Sequence, residues 1–235
     1  AALPASRRVG LRLDRWHVSI GRVGNQLFQY CMARAIAERD GHELRVPAWF
    51  GEQVFAGVPV TVRPTGAETV VPGYGQRQED LLYTRSQVRE WFAWYPAVEA
   101  ALKDIVWSHS DVFAHHRLGD YLGYGYPVVS LKAIEKAIVE AGFGSYQIVS
   151  EERAFPVKPF LEMPWLPDFY CLRQAPVLFR ANSSFSWWAA TLGHGRVFAP
   201  VIAGLGAGSH DDVPFVEGNW PRLSDHTCTD LHLDP

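Results

Sequence analysis

An α/β fold built on a parallel sheet is predicted by two features of the second half of the chain. Short apolar segments alternate with amphipathic segments of helical period, as in strands connected by covering helices. Polar residues precede the helical segments and glycines follow them, as Ser130 and Gly142 do for one of them. Because ligands bind beyond the carboxyl ends of the strands in such sheets, we expect function in the strand-to-helix loops.

The predicted elements of this half follow one another along the chain. The tail after Gly204 is assigned to no element. In order, the sequence predicts a strand over 112–115, a polar loop to Pro127, a helix after Ser130, a strand over 146–150, a helix over 168–174, a strand over 177–180, a helix over 184–192 that Gly193 ends, and a strand over 197–201.

The first half is predicted less completely. A strand over 16–20 and a turn over 21–24 precede a helix from Asn25 to Gly41. A short strand follows over 44–47, and residues 49–78 are rich in loops. The helical pattern over 86–105 is broken at Pro96. We expect two domains, 1–105 and 106–235.

Composition excludes several classes of function. A net charge of −3 and a pI near 6.3 give no reason to expect nucleic acid as a partner. Cys31, Cys171 and Cys228 are far apart, which favours neither a disulfide framework nor a thiolate metal site. No apolar run approaches the roughly 18 residues of a membrane span. A cytoplasmic location is therefore expected, although loss of an anchor segment would leave the same pattern.

The segment HHRLGDY, residues 115–121, follows a predicted buried strand. Its Arg117 can bind phosphate oxygens through a bidentate fork and offset the charge of a departing nucleoside diphosphate. A structural alternative is a salt bridge between Arg117 and Asp120 beside a buried His115. A metal site at His115 and His116 is disfavoured, because adjacent strand residues point to opposite faces and no third ligand is evident.

The segment NSSFSWW, residues 182–188, leads from a strand into a helix. Free backbone amides and serine hydroxyls at such a helix start can bind an anion without a metal. The alternative is an ordinary N-cap, with Trp187 and Trp188 in the core.

The segment GRVGNQ, residues 21–26, lacks the third glycine of the dinucleotide fingerprint and the Gly-Lys-Ser/Thr element of the P-loop. Its glycines allow close approach of a ligand, and Asn25 and Gln26 can present amides. The alternative is a tight turn with Asn25 as the cap. Farther on, Trp91, Trp94 and Tyr95 could stack on a sugar, although core packing is the favoured use of these rings.

Taken together, residues 21–30 (GRVGNQLFQY), 115–121 and 182–188 resemble, in order, the three signature blocks of bacterial α-1,2-fucosyltransferases. Residues 146–152 (YQIVSEE) resemble that family's strand ending in serine and two acidic residues, and 168–172 match its short helix before the last block.

The resemblance implies two Rossmann-like lobes of the two-domain GT-B type of glycosyltransferase, with a reduced N-terminal lobe on the acceptor side and a C-terminal lobe that binds the nucleotide sugar. It also implies transfer of L-fucose from GDP-fucose, with inversion, to a hydroxyl of a glycan acceptor, α-1,2 to galactose. Neither a cofactor nor a metal is expected, and the chain contains no Asp-x-Asp.

Roles are implied by matching position. Arg117 would hold the donor pyrophosphate. Beyond the resemblance, our hypothesis is that Asp120, with His115 as second choice, orients groups or takes the acceptor proton, the alternative being that each holds Arg117 in place. The remaining donor-binding residues would contact the phosphates, the transferred sugar or the nucleoside: Gly24, Asn25, Gln26, Ser150, Glu151, Asn182, Ser183 and Ser184.

Two positions depart from the family pattern. Leu118 stands where the family has a second arginine, and His116 where it has a small aliphatic residue. These departures leave two alternatives open: a glycosyltransferase that uses another nucleotide-sugar donor, or a non-catalytic relative that binds a glycan or nucleotide.

Overall fold

The computed structural model describes residues 8–11, 23–59, 69–71, 75–76, 80–105, 110–150 and 163–218. Within these ranges the chain forms two compact units, one ending at Ala100 and the other beginning at Ala101. Each unit contains its own sheet, which is parallel in the first unit and mixed in the second. None of the described helices is long and apolar enough to cross a membrane.

The first unit has a three-stranded parallel sheet in the order β2-β1-β3. The last helix of this part of the chain spans the boundary between the units. The elements are β1 (Arg8–Leu11), α1 (Val23–Asp40), β2 (Glu43–Arg45), α2 (Gly51–Val54), β3 (Thr69–Val71), α3 (Arg85–Trp91) and α4 (Pro96–Ile105).

The structure confirms the predicted helix α1 and corrects its start. Gly41 follows α1 with a φ of 66°, a left-handed conformation that glycine adopts without strain. Val23 and Gly24 belong to the first turn of α1 and not to the predicted turn before it. The predicted strand over 16–20 lies outside the described residues, and β1 was not predicted.

Several aromatic side chains form the core of the first unit. Phe55 lies 5.0 Å from Phe92 and 5.1 Å from Trp94, measured between ring centroids. Trp91 and Trp94 are buried, which confirms core packing as the use of these two rings. Pro96 begins α4, so the predicted break separates α3 from α4.

The second unit has a five-stranded mixed sheet in the order β10-β8-β7-β4-β6, in which only β10 is antiparallel. A separate parallel pair joins β5 to β9. The elements are β4 (Val112–His116), α5 (Asp120–Tyr124), β5 (Pro127–Val129), α6 (Leu131–Glu140), β6 (Gln147–Ser150), α7 (Leu166–Gln174), β7 (Val177–Phe179), α8 (Ser184–Leu192), β8 (Arg196–Pro200), β9 (Gly208–His210) and β10 (Phe215–Glu217).

This unit confirms the predicted α/β class and most of its predicted elements. Ser130 caps α6 by accepting a hydrogen bond from the Ala133 amide at 3.1 Å. The prediction of a polar loop before Pro127 was wrong in part, because this segment contains α5. The tail that was assigned to no element contains β9 and β10.

The strand order places a topological switch point between β4 and β7. After β4, the chain adds β6 along one edge of β4 and then β7 along the other edge. Right-handed crossovers therefore place α6 and α7 on opposite faces of the sheet. In open sheets of this kind, ligands bind outside the carboxyl ends of the two strands at which the order reverses.

Alternate residues of β4 face the two helical layers. Ala114 packs into a cluster with α6 residues such as Ile134 and Ile138. His115 points the other way, and its ring centroid lies 5.6 Å from that of Phe185 in α8. The end of β4 therefore presents one imidazole to the layer that contains α8.

Candidate functional site

Two of the sequence motifs meet at the carboxyl edge of the second unit's sheet. Residues 117–119, which we call the outer loop, connect β4 to α5, and residues 180–183, the inner loop, connect β7 to α8. Since β4 and β7 are adjacent and parallel, both loops leave the same edge at the switch point. The Tyr121 hydroxyl donates a 2.8 Å hydrogen bond to the Asn182 carbonyl oxygen and so links the motifs directly.

The backbone conformation of the outer loop explains why it contains a glycine. Gly119, just before α5, has a φ of 46° and a ψ of −124°, a conformation that residues with a Cβ rarely adopt. Arg117 is half-buried, and its guanidinium carbon lies 5.2 Å from the centroid of the Tyr121 ring. Asp120 begins α5, but its side chain lies outside the described part of the structure.

The inner loop is buried and held by hydrogen bonds. Asn182 is 1% exposed, and its side-chain amide donates a 2.8 Å hydrogen bond to the Pro127 carbonyl oxygen. The Ala181 carbonyl accepts from the Arg180 guanidinium at 2.9 Å and from the Ser186 hydroxyl at 3.2 Å. The backbone that enters α8 is therefore fixed from both sides.

The start of α8 supplies hydrogen-bond donors and partial positive charge. Ser183 is the N-cap, and its hydroxyl accepts a 3.3 Å hydrogen bond from the Phe185 amide. Ser184 is half-buried in the first turn. The amides of a first helical turn have no partner within the helix, and the helix dipole adds to their attraction for an anion. Trp187 and Trp188 are fully buried, as expected of core residues.

His115 is neutral at physiological pH. Burial lowers the pKa of its imidazole to about 3, with further lowering by the positive charges of Arg117 and His116. Its Nδ1 atom is buried and has no hydrogen-bond partner among the described residues. An imidazole with this pKa is a weak proton acceptor, although it can still donate or accept a hydrogen bond.

Ser150 also lies at this edge, whereas its predicted neighbour is not described. Ser150 is the last residue of β6, is buried, and pairs in register with His116 of β4. Glu151 lies outside the described residues.

Two charged residues near the edge were missed as site candidates. Arg180 was predicted only as the last strand residue, yet its side chain is fully buried beside the inner loop. Asp168 was placed in a helix without a role, and burial raises its pKa to about 6. Its neighbour Phe169 lies 5.2 Å from Phe185, the ring that contacts His115. A charged residue at the end of an apolar strand was the available signal for Arg180, whereas nothing local in the sequence signals the burial of Asp168.

The first unit holds the remaining candidates, in the first turn of α1. Gly24 and Gln26 are buried. The Asn25 side-chain oxygen accepts a 2.7 Å hydrogen bond from the side-chain amide of Gln76. The structure thus anchors Asn25 to a residue of the segment that the sequence identified only as loop-rich.

The described side chains do not build a recognisable metal centre. Among them, no group of three or more His, Cys, Asp or Glu residues is arranged to hold a metal ion. The described part of the second unit does bring Arg117 and the start of α8 to one edge, which is a suitable arrangement for a phosphate-bearing ligand.

Comparison with known proteins gives a distant structural likeness. No protein-family model and no curated protein matches the chain. A crystal structure of NodZ α-1,6-fucosyltransferase co-crystallised with GDP is 14% identical, with a TM-score of 0.45 over 92% of this chain and 99% of that chain. A structure of NodZ soaked with GDP-fucose is 15% identical, with a TM-score of 0.44 over 91% and 97%. Likeness this distant carries no argument about function, so the site and its motifs have to support the assignment.

Proposed function

We propose that this chain is an inverting glycosyltransferase of the GT-B type that moves L-fucose from GDP-fucose to a hydroxyl of a glycan acceptor, α-1,2 to galactose. The pyrophosphate binds at the switch point between β4 and β7. Arg117 contacts it from the outer loop, and the amides and serine hydroxyls at the start of α8 contact it from the inner loop.

One observation carries this proposal. The segments HHRLGDY and NSSFSWW are about 60 residues apart in the sequence, and both resemble blocks of one enzyme family. They follow adjacent parallel strands and are joined by the 2.8 Å hydrogen bond from Tyr121 to Asn182. The edge at which these two segments meet is the one where ligands bind in this class of sheet.

The chemistry is a single displacement. An acceptor oxygen forms a bond to the anomeric carbon of fucose from the side opposite GDP, and the bond from that carbon to the β-phosphate oxygen breaks with its electron pair going to GDP. Arg117 and the α8 amides stabilise the negative charge that develops on the leaving group. The acceptor proton passes to Asp120. His115 is a poor base because of its low pKa, and its ring packs against Phe185 at the start of α8.

A donor panel tests this proposal. The purified chain is incubated without metal with lactose and, separately, GDP-fucose, GDP-mannose, UDP-galactose or a TDP-sugar, and the products are separated by chromatography and assigned by NMR. We expect fucosyl-lactose from GDP-fucose alone. Transfer only from another donor would replace the donor assignment, a replacement that Leu118 at the second-arginine position would explain. Loss of donor without a glycoside product is hydrolysis and does not count as transfer.

A further inference from the structure

Three tyrosines of the second unit form a continuous row, which we call the tyrosine ladder: Tyr121, Tyr126 and Tyr124. The ring centroids of Tyr121 and Tyr126 are 5.1 Å apart, with an interplanar angle of 67°. Those of Tyr126 and Tyr124 are 6.0 Å apart, with an angle of 43°. Both spacings lie within the range of favourable aromatic contact, so the row is a packed unit.

The inner end of the ladder lies at the proposed phosphate site. Arg117 lies over the Tyr121 ring, and the Tyr121 hydroxyl is bonded to the inner loop through the Asn182 carbonyl. A ligand that extends from the pyrophosphate along this side of the site therefore meets Tyr121 first and the other rings next.

The outer end of the ladder is open to water. Tyr124 is 61% exposed, and Leu122 on the same short helix is 58% exposed. Tyr124 is the only aromatic side chain among the exposed large hydrophobic residues of the described ranges. By contrast, two of the three rings that the sequence offered for sugar stacking, Trp91 and Trp94, are buried in the first unit, and the third, Tyr95, is half-buried there. Exposed apolar surface next to a site is a common mark of binding.

The backbone beside Tyr124 leaves room for a ligand. Gly123 precedes the ring, and a Cβ at this position would meet no atom within 4 Å. Gly125 follows it with a φ of 74° and would place a Cβ no closer than 3.8 Å to Ala207. The residues on either side of Tyr124 therefore lack side chains that would limit access to its ring.

We propose that the tyrosine ladder of the second unit is an acceptor subsite, where the family resemblance implied the N-terminal lobe as the acceptor side, and that Tyr124 stacks on the pyranose ring of the acceptor glycan. A pyranose has an apolar C–H face that fits an aromatic ring and a rim of hydroxyls that can bond to tyrosine hydroxyls and water. A neutral sugar also leaves the charge of Arg117 for the phosphates. The acceptor role of this sugar rests on the proposed function, whereas the stacking of a pyranose on Tyr124 is independent of it.

Steady-state kinetics with lactose as acceptor provide the first test. Tyr124→Ala is expected to raise KM for lactose about tenfold, an effect typical of losing one stacked ring, while KM for GDP-fucose changes by less than about twofold. Tyr124→Phe should retain the wild-type KM, because stacking needs the ring and not the hydroxyl. Val139→Ala is the control, since Val139 is 67% exposed on α6. A lactose KM that is unchanged in Tyr124→Ala overturns the subsite while leaving the transfer reaction intact.

Saturation-transfer NMR with lactose and cellobiose separates failure of the subsite from failure of the proposed function, because it needs neither donor nor turnover. We expect wild type, Tyr124→Phe and Val139→Ala to give sugar signals that are lost in Tyr124→Ala. That result without any transfer would keep the sugar site and reject the fucosyl donor. Equal sugar signals in all four proteins would overturn the ladder as a pyranose site. So would a wild-type protein that gives no sugar signal by NMR and no transfer to lactose in the kinetic assay.

Discussion

The outer and inner loops leave the same edge of one sheet, yet they differ in how firmly they are held. The inner loop, residues 180–183, is buried throughout, with Arg180 fully buried and Asn182 and Ser183 at most 4% exposed. The outer loop, residues 117–119, is half-buried at Arg117 and exposed at Gly119. This difference suggests that the two loops have different roles in ligand binding. The inner loop fixes the start of α8, whose amides form a preorganised set of donors, whereas the outer loop provides a charged side chain that can adjust to the ligand.

The largest expected effect concerns the charge of the outer loop. Arg117→Ala should lower the rate of fucosyl transfer by roughly 10²–10³-fold, the usual cost of removing one group that stabilises a leaving anion. Because Arg117 is only half-buried, the midpoint of urea unfolding should change little. Paired measurement of transfer rate and unfolding midpoint checks both halves of the expectation.

Arg196→Ala is the matched control for this change. Arg196 is the exposed first residue of β8, at the opposite edge of the sheet, and it pairs with Glu217 at 2.7 Å. Its loss should leave the transfer rate unaltered. Equal transfer rates for Arg117→Ala and wild type would show that Arg117 does not take part in catalysis, and would contradict the different roles proposed for the two loops.

The second effect concerns the rigidity of the inner loop. Asn182→Ala removes the buried hydrogen bond to the Pro127 carbonyl and should lower the free energy of unfolding by roughly 1–3 kcal/mol, together with the transfer rate. Urea unfolding followed by tryptophan fluorescence measures the first quantity. Gln174→Ala removes an exposed amide at the end of α7 and serves as the control. A fully stable Asn182→Ala protein would mean that the inner loop is not preorganised by this bond.

The third effect concerns the half-buried carboxyl of Asp168 in α7, whose neighbour Phe169 contacts Phe185 of α8. Its pKa is raised by burial from 3.8 to about 6, so folding favours the neutral acid. The resulting stabilisation is fully present below pH 3.8 and is lost as the pH rises through about 6. Asp168→Asn, which stays neutral, should therefore be more stable than wild type by roughly 1–3 kcal/mol at pH 7.5, with the difference shrinking toward pH 4.

Unfolding free energies of both proteins across this pH range provide the check. Parallel curves for wild type and Asp168→Asn would show that the carboxyl is solvated and would remove Asp168 from the buried layer of the site.

The smallest effect concerns the bond between the two loops. Tyr121→Phe keeps the ring under Arg117 and loses the hydrogen bond to the Asn182 carbonyl, which should cost about 0.5–1.5 kcal/mol of stability. Tyr146→Phe is the matched control, because its hydroxyl makes a 2.8 Å bond to Glu135 away from both loops. Thermal unfolding should show similar losses, but only Tyr121→Phe should also slow transfer. Equal transfer rates in the two variants would mean that the loops act independently.

The sequence predicted the elements whose signals are local. The helix after Ser130 has a polar cap, an apolar stripe and a terminal glycine, and the structure places α6 there with that cap. The helix after Ser183 was readable for the same reason. The alternation of these strands and helices predicted the class of the sheet. The class in turn predicted the edge at which the motifs after β4 and β7 lie.

The missed elements depend on contacts that are distant in sequence. Helix α5 contains Gly123 and lies between Gly119 and Gly125, a composition that favours a loop. Strand β5 begins at Pro127 and pairs with Gly208, two residues that are uncommon in strands. Their placement, like the burial of Arg180 and the row of tyrosines, depends on tertiary packing that no local window of sequence contains.

Calorimetric titration of the purified chain with GDP in the absence of metal measures binding at the donor site by itself, since it needs no acceptor. We expect wild type and Arg196→Ala to bind GDP equally and Arg117→Ala to bind it about 10- to 100-fold more weakly, because charged hydrogen bonds to phosphate are lost. Undiminished GDP binding by Arg117→Ala, or binding of UDP or TDP in preference to GDP by wild type, would contradict the donor site proposed at the switch point.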